Sequence, residues 1–148
     1  MLLKDVMTKQ VEVIESDATI KEAAEKMKRL DVGPLPVLEG HRLIGMITDR
    51  DIAIRAVAEG LDPNVAKVRE IVTPDVVYGF EDQDVQEAAK LMGEKQIRRL
   101  VVLNKEQRLV GIVSLGDLAV DTGDTDMAGA TLEDVSRPAR PKGVRRPL

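Results

Sequence analysis

Two stretches of this chain carry the same polar residues in the same order, GMITDRDIA at residues 45–53 and GIVSLGDLA at residues 111–119. Each sets a hydroxyl, Thr48 or Ser114, three residues ahead of a carboxylate, Asp51 or Asp117. After an apolar run, that spacing is a helix-start pattern in which the two side chains satisfy backbone N–H groups. The same geometry suits a ligand. A helix start offers unpaired N–H groups and the positive end of the helix dipole to a phosphate. The hydroxyl can donate to that phosphate, and the carboxylate can accept from both hydroxyls of a ribose. Capping alone and nucleotide binding are the two readings of the phrase. Gly45 and Gly111 ahead of it suit the close approach of a backbone or a ligand.

Other chemistries fail on residue type. Residues 111–116 have the glycine spacing of a P-loop, but Asp117 and Leu118 stand where a lysine and a hydroxyl residue are required, which excludes NTP hydrolysis by that route. Asp49 and Asp51 are two apart on an expected helix and do not face each other as a catalytic pair would. His41 is the single histidine and lies in a polar turn without a base partner. With no cysteine in the chain, disulfides, thiolate metal sites and cysteine nucleophiles are excluded, and no zinc ligand set is visible. A non-enzymatic protein without a required cofactor is the expectation. Aromatic residues are 1% of the chain, Tyr78 and Phe80 alone, so the core must be aliphatic and the stacking platforms of single-strand binders are missing.

The elements that must hold the phrase also come in pairs. Val6, Met7 and Thr8 align with Ile71, Val72 and Thr73, Ala23 and Ala24 with Ala88 and Ala89, and Met27 with Met92, at one constant spacing. The spacing grows by one residue in the turn near Glu106, and Gly45 then falls on Gly111 and Asp51 on Asp117. Thr19 followed by Glu22, and Asp84 followed by Glu87, mark two helix starts. Apolar Ile20, Ala23, Met27 and Leu30 follow at helical spacing. Residues 35–38 and 100–103 read as buried strands, and a turn leads to second strands at 43–48 and 109–114. Each half is a strand, helix, strand, strand and helix, whose apolar surfaces need the other half to cover them. A chain of 148 residues has room for one core, so the halves should share it.

Charge divides the chain differently. The net charge is −4, yet residues 137–148 hold Arg137, Arg140, Lys142, Arg145 and Arg146 with no acid. The acidic body would repel nucleic acid, and only the tail offers weak, salt-sensitive attraction. Residues 123–148, rich in Gly, Pro and Thr, read as an irregular tail with a short helical piece near Leu132 to Val135. Residues 1–5 lack a long apolar run, and no window approaches the roughly 18 apolar residues of a membrane span. A cytoplasmic protein without membrane contact is expected.

Tandem units with Met-Thr or Val-Thr at the start, Glu-Ala-Ala in the first helix and the repeated phrase before the last resemble a cystathionine beta-synthase (CBS) domain pair over about Lys4 to Val120. Residues 96–118 are similar to a CBS repeat of the regulatory gamma subunit of AMP-activated protein kinase. Residues 45–63 are similar to stand-alone bacterial CBS-pair proteins, including the hypoxia-response type. The resemblance implies an α+β fold of two tandem βαββα CBS repeats, 4–68 and 69–122, related by a pseudo-two-fold axis. It also implies energy sensing and signal transduction through an adenosyl nucleotide (AMP, ADP, ATP or S-adenosylmethionine) held between the repeats. Asp51 and Asp117 would then hold ribose. Thr48, Ser114, Arg98 and Arg99 would serve ribose or phosphate, and Thr8, Val11, Thr73 and Val76 would lie near adenine. Where the second repeat has Arg98 and Arg99, the first has Gly33 and Pro34, so the crevices should differ in affinity. The resemblance further implies a homodimer and an effector protein on a separate chain. A dimerisation or interaction module without nucleotide is the rival reading.

Overall fold

The computed structural model describes residues 1–137. A short helix α1 (Leu3–Val6) opens the chain, followed by β1 (Ile14–Glu15), α2 (Ile20–Leu30), β2 (Leu35–Glu39) and β3 (Arg42–Ile47). A helical turn α3 (Asp49–Asp51) then runs into a wider π-helical stretch (Ile52–Val57). After a 3-10 turn (Val68–Glu70) the order recurs as β4 (Tyr78–Phe80), α4 (Val85–Lys95), β5 (Arg99–Leu103), β6 (Leu109–Ser114) and α5 (Leu115–Thr122). Helix α6 (Thr125–Ser136) follows.

The expected helix starts are present. Thr19 accepts a hydrogen bond from Glu22 N at 3.1 Å, and Asp84 accepts one from Gln86 N at 2.8 Å. Both helices end on a left-handed residue that is not glycine, Asp31 (φ 54°) and Gln96 (φ 55°). The two sheets repeat each other in detail. In each, the first strand runs parallel to the second and the second antiparallel to the third. Leu35 pairs with Ile47 and Leu100 with Val113, and each sheet shifts register once, at Val37/Leu38 and at Val102/Leu103. The matching irregularities show that the repetition extends to backbone geometry.

The packing corrects the expectation of one shared core. Two aliphatic clusters form, and each contains a guest from the other half. Leu3 and Val6 of α1 are buried with Ala88, Met92, Leu100 and Leu118 of the second repeat. Val68 and Ile71, the matching residues of the second lead-in, are buried with Ile20, Ala23, Val37 and Ile47 of the first. The backbone crosses at both places. Thr8 N donates to Ile112 O at 2.8 Å and Thr8 O accepts from Ile112 N at 3.0 Å, and Thr73 and Met46 exchange the same pair of bonds at 3.0 Å. Gly45 and Gly111 sit under these crossings. A Cβ on Gly45 would overlap Thr73 O, and one on Gly111 would overlap the Met7 side chain and lie 3.1 Å from Thr8 O. Their role in this structure is to admit a crossing backbone.

The C-terminal region also differs from expectation. Residues 125–136, read from composition as part of an irregular tail, form the twelve-residue helix α6. Asp124 caps it by accepting from Met127 N at 2.9 Å. Its buried side, Ala128 and Thr131, lies on α4, where the Thr131 hydroxyl reaches Ala89 O at 3.5 Å. Gln96 holds its far end, donating to Arg137 O at 2.7 Å and to Asp134 O at 3.2 Å. Small, polar residues concealed the helix in the sequence because its footing is a narrow strip and not a broad apolar face. The remaining basic residues, Arg140 to Arg146, lie outside the described residues.

Candidate ligand-binding crevices

Both copies of the repeated phrase form reciprocal capping boxes. Thr48 Oγ1 accepts from Asp51 N at 3.1 Å, and Asp51 Oδ2 accepts from Thr48 N at 2.9 Å. Ser114 Oγ accepts from Asp117 N at 3.0 Å, and Asp117 Oδ2 accepts from Ser114 N at 2.9 Å. Each box uses one carboxylate oxygen and fixes where the other points. Capping thereby organises the carboxylate for a further acceptor role, so the two readings of the phrase are compatible.

The crossings decide which residues share a crevice. Because Thr8 bridges Ile112 on β6, the lead-in of the first repeat lies beside Ser114 of the second. A crevice of about 200 Å3 between the repeats is lined by Thr8, Val11, Pro34, Leu35, Ile112 and Arg99. A larger cavity, about 700 Å3, is lined by Arg98, Arg99, Ser114, Gly116 and residues of α6. Arg99 belongs to both. Arg99 thus joins the cavity of Thr8 and Val11 to that of Arg98 and Ser114, and Asp117 is fixed to Ser114 by the capping bonds. Neither Asp51 nor Asp117 lines either cavity.

The mirror-related position is built differently. Thr73 bridges Met46 and so lies near Thr48 along the chain, but Val76 lines a separate cavity of about 470 Å3 beside His41 and the turn at Glu106. Gly33 stands over the start of α3, where an added Cβ would lie 3.2 Å from Asp49 Oδ1. That carboxylate also accepts from Arg50 N at 3.0 Å, so an acid already occupies the anion position of this helix start. Asp51 Oδ1 lies 3.9 Å from Arg55 Nε. In the second repeat the position of Asp49 is taken by Leu115, and that of Arg55 by Asp121. Leu115 N is bonded to Arg98 O at 2.9 Å, while Gly116 N–H has no acceptor among the described residues. The second crevice therefore offers two guanidinium groups, a hydroxyl and an open N–H to an anion, where the first offers a carboxylate. Sequence reasoning found the Arg98–Arg99 difference and missed Asp49, although aligning it with Leu115 would have exposed it.

Among the described residues no group of three His, Asp or Glu side chains is placed to hold a metal ion, and no helix is long and apolar enough to cross a membrane.

Two pseudo-symmetric units of this topology, each ending in a capped hydroxyl–carboxylate helix start, define a CBS pair. The CBS domain family profile matches residues 3–57 and 68–120, and the chain belongs to that family. It is 43% identical over 134 residues to the CBS domain-containing protein YhcV of Bacillus subtilis (strain 168), covering 90% of this chain and 94% of that protein. The crystal structure of Hypoxic Response Protein I with two coordinated zinc ions superposes with a TM-score of 0.73 at 38% identity, over 80% of this chain and 97% of that one. The CBS domain pair of protein MJ0100, solved in complex with 5'-methylthioadenosine and S-adenosyl-L-methionine, gives a TM-score of 0.70 at 32% identity, over 84% of this chain and 98% of that one.

Proposed function

We propose that this chain is a regulatory, non-catalytic module that binds an adenosyl nucleotide in the second crevice and signals by changing how its repeats pack. The observation that carries the proposal is the meeting of Thr8 and Val11 from one repeat with Arg98, Arg99 and Ser114 from the other, next to an aspartate fixed by its own cap. The adenosyl compounds bound by the CBS pair of MJ0100 support the ligand class. In this reading the base lies in the small crevice against Val11, Asp117 accepts from ribose, and Arg98, Arg99 and the Gly116 N–H take phosphate. A ligand bridging the halves favours one packing only by its difference in affinity for the two arrangements. The first crevice, with Thr48, Asp51, Thr73 and Val76, binds phosphate-bearing ligands more weakly because Asp49 opposes them. Energy sensing, a homodimer, a cytoplasmic setting and a separate effector chain belong to the same proposal.

Calorimetric titration with AMP, ATP and S-adenosylmethionine tests it. Stoichiometric binding by the wild-type chain is expected, with Asp117→Ala losing affinity by more than Asp51→Ala does. A hydrogen bond to a charged group contributes about 1.5–3 kcal/mol, so the loss should be at least tenfold. Absence of binding with all three ligands would refute the reading.

One observation favours the rival reading of a dimerisation module. Ile54, Val57 and Val120, on the last helices of the two repeats, are 47%, 71% and 81% exposed. Ile54 and Val120 occupy equivalent positions, so a second copy could cover both in one symmetric contact. Sedimentation of the wild-type chain and of Val57→Glu, with and without nucleotide, separates the two functions.

A further inference from the structure

Helix α6 lies beyond the stretch matched by the family profile, yet it forms a wall of the cavity that holds Arg98, Arg99 and Ser114. Two glycines line that cavity, Gly116 near the start of α5 and Gly129 in the middle of α6. Neither is explained by its backbone, since both lie in helices without the positive φ that favours glycine. Neither is explained by packing. An added Cβ would make only an ordinary 3.7 Å contact with Ser114 Oγ at Gly116, and would meet nothing within 4 Å at Gly129. A glycine in a helix interior is unfavourable relative to alanine, so at Gly129 some other requirement favours a small residue, and Gly116 in the first turn of α5 leaves the same cavity open. What the two glycines leave is open volume in the cavity that Arg98 and Arg99 also line.

We propose that α6 is the far wall of the phosphate end of the second crevice, and that bound ligand contacts and orders it. This rests on the nucleotide-binding reading above. The small crevice around Thr8 and Val11 takes the base, and the larger cavity beyond Arg99 takes the charged remainder of the ligand, an adenosyl phosphate. Occupancy is then felt by α6. It rests on α4 and α5 through Ala128, Thr131 and Met127, and is held by the Thr131–Ala89 bond, the Gln86 bond to Asp124 and the Gln96 bonds to its last turn. A terminal helix with small buried residues still opens locally more readily than the core, and a ligand that binds only the closed form protects it.

The test uses the full chain, with AMP and ATP as separate probes. Gly129→Leu places a side chain at a position where an added Cβ meets nothing within 4 Å and improves helix propensity, so the variant should melt no lower than wild type. It should bind the tighter of the two nucleotides at least tenfold more weakly. In wild type, saturating nucleotide should slow amide exchange across residues 125–136. If wild type binds but Gly129→Leu binds equally well and exchange in 125–136 is unchanged, the proposal about α6 is overturned while nucleotide binding stands. If wild type binds neither nucleotide, both fall together.

Discussion

At the scale of single residues, the repeated phrase separates structural from ligand-facing roles. Thr48 and Ser114 make the same capping bonds, and loss of such a cap costs about 1 kcal/mol. Thr48→Ala and Ser114→Ala should therefore lower stability by similar amounts in urea unfolding. Only Ser114→Ala should also weaken nucleotide binding, because Arg98 and Arg99 share its cavity while Asp49 guards the start of α3. Equal effects of both variants on binding would count against unequal crevices. The glycines of the phrase make a second residue-level prediction. Gly45→Ala pushes a Cβ into the crossing backbone at Thr73 O, whose hydrogen bonds resist movement, and Gly111→Ala pushes one into the Met7 side chain beneath the other crossing. Overpacking of this kind costs about 1–3 kcal/mol, so each variant should show a clearly lowered unfolding midpoint even though alanine is a conservative change.

At the scale of elements, legibility in the sequence followed the kind of signal each element carries. The capped helices α2 and α4 and the hydrophobic strands β2, β3, β5 and β6 were readable because a cap residue and an apolar run are local, and the second copy confirmed the first. β1 and β4 were expected only as short strands, and they are two and three residues long. The α6 helix was read mostly as tail because its stability depends on a narrow contact with α4, and the lead-in crossings were missed because exchange between halves leaves no local trace. The helix ends test how local the backbone rules are. Asp31 and Gln96 both adopt left-handed geometry that costs about 1–2 kcal/mol for a non-glycine residue, partly offset by the chain freedom that glycine adds to the unfolded state. Asp31→Gly should therefore raise stability by about 0.5–1 kcal/mol. Gln96→Gly should gain less in the same melting experiment, since it also releases the two bonds that hold the end of α6.

At the scale of the whole molecule, the exchanged lead-ins make the two repeats one folding unit. Each core is completed by residues from far along the chain, so neither half can bury its apolar surface by unfolding the other. The consequence is testable at Leu3, which is fully buried but belongs by sequence to the first repeat and by packing to the second. Leu3→Ala should cost about 2–5 kcal/mol, as removal of a buried leucine side chain generally does. Where that cost is felt distinguishes exchange from simple tandem packing. Native-state hydrogen exchange should show the loss of protection concentrated in α4, β5 and β6, which surround Leu3, and not in α2, β2 and β3, its neighbours in sequence. The same substitution should also displace Thr8 from Ile112 and so disturb the crevice that Thr8, Val11 and Arg99 line. Nucleotide affinity of Leu3→Ala should accordingly fall although the substituted side chain touches no ligand. Protection lost mainly in α2 and β2, with affinity preserved, would mean that the lead-in packs in solution on its own repeat.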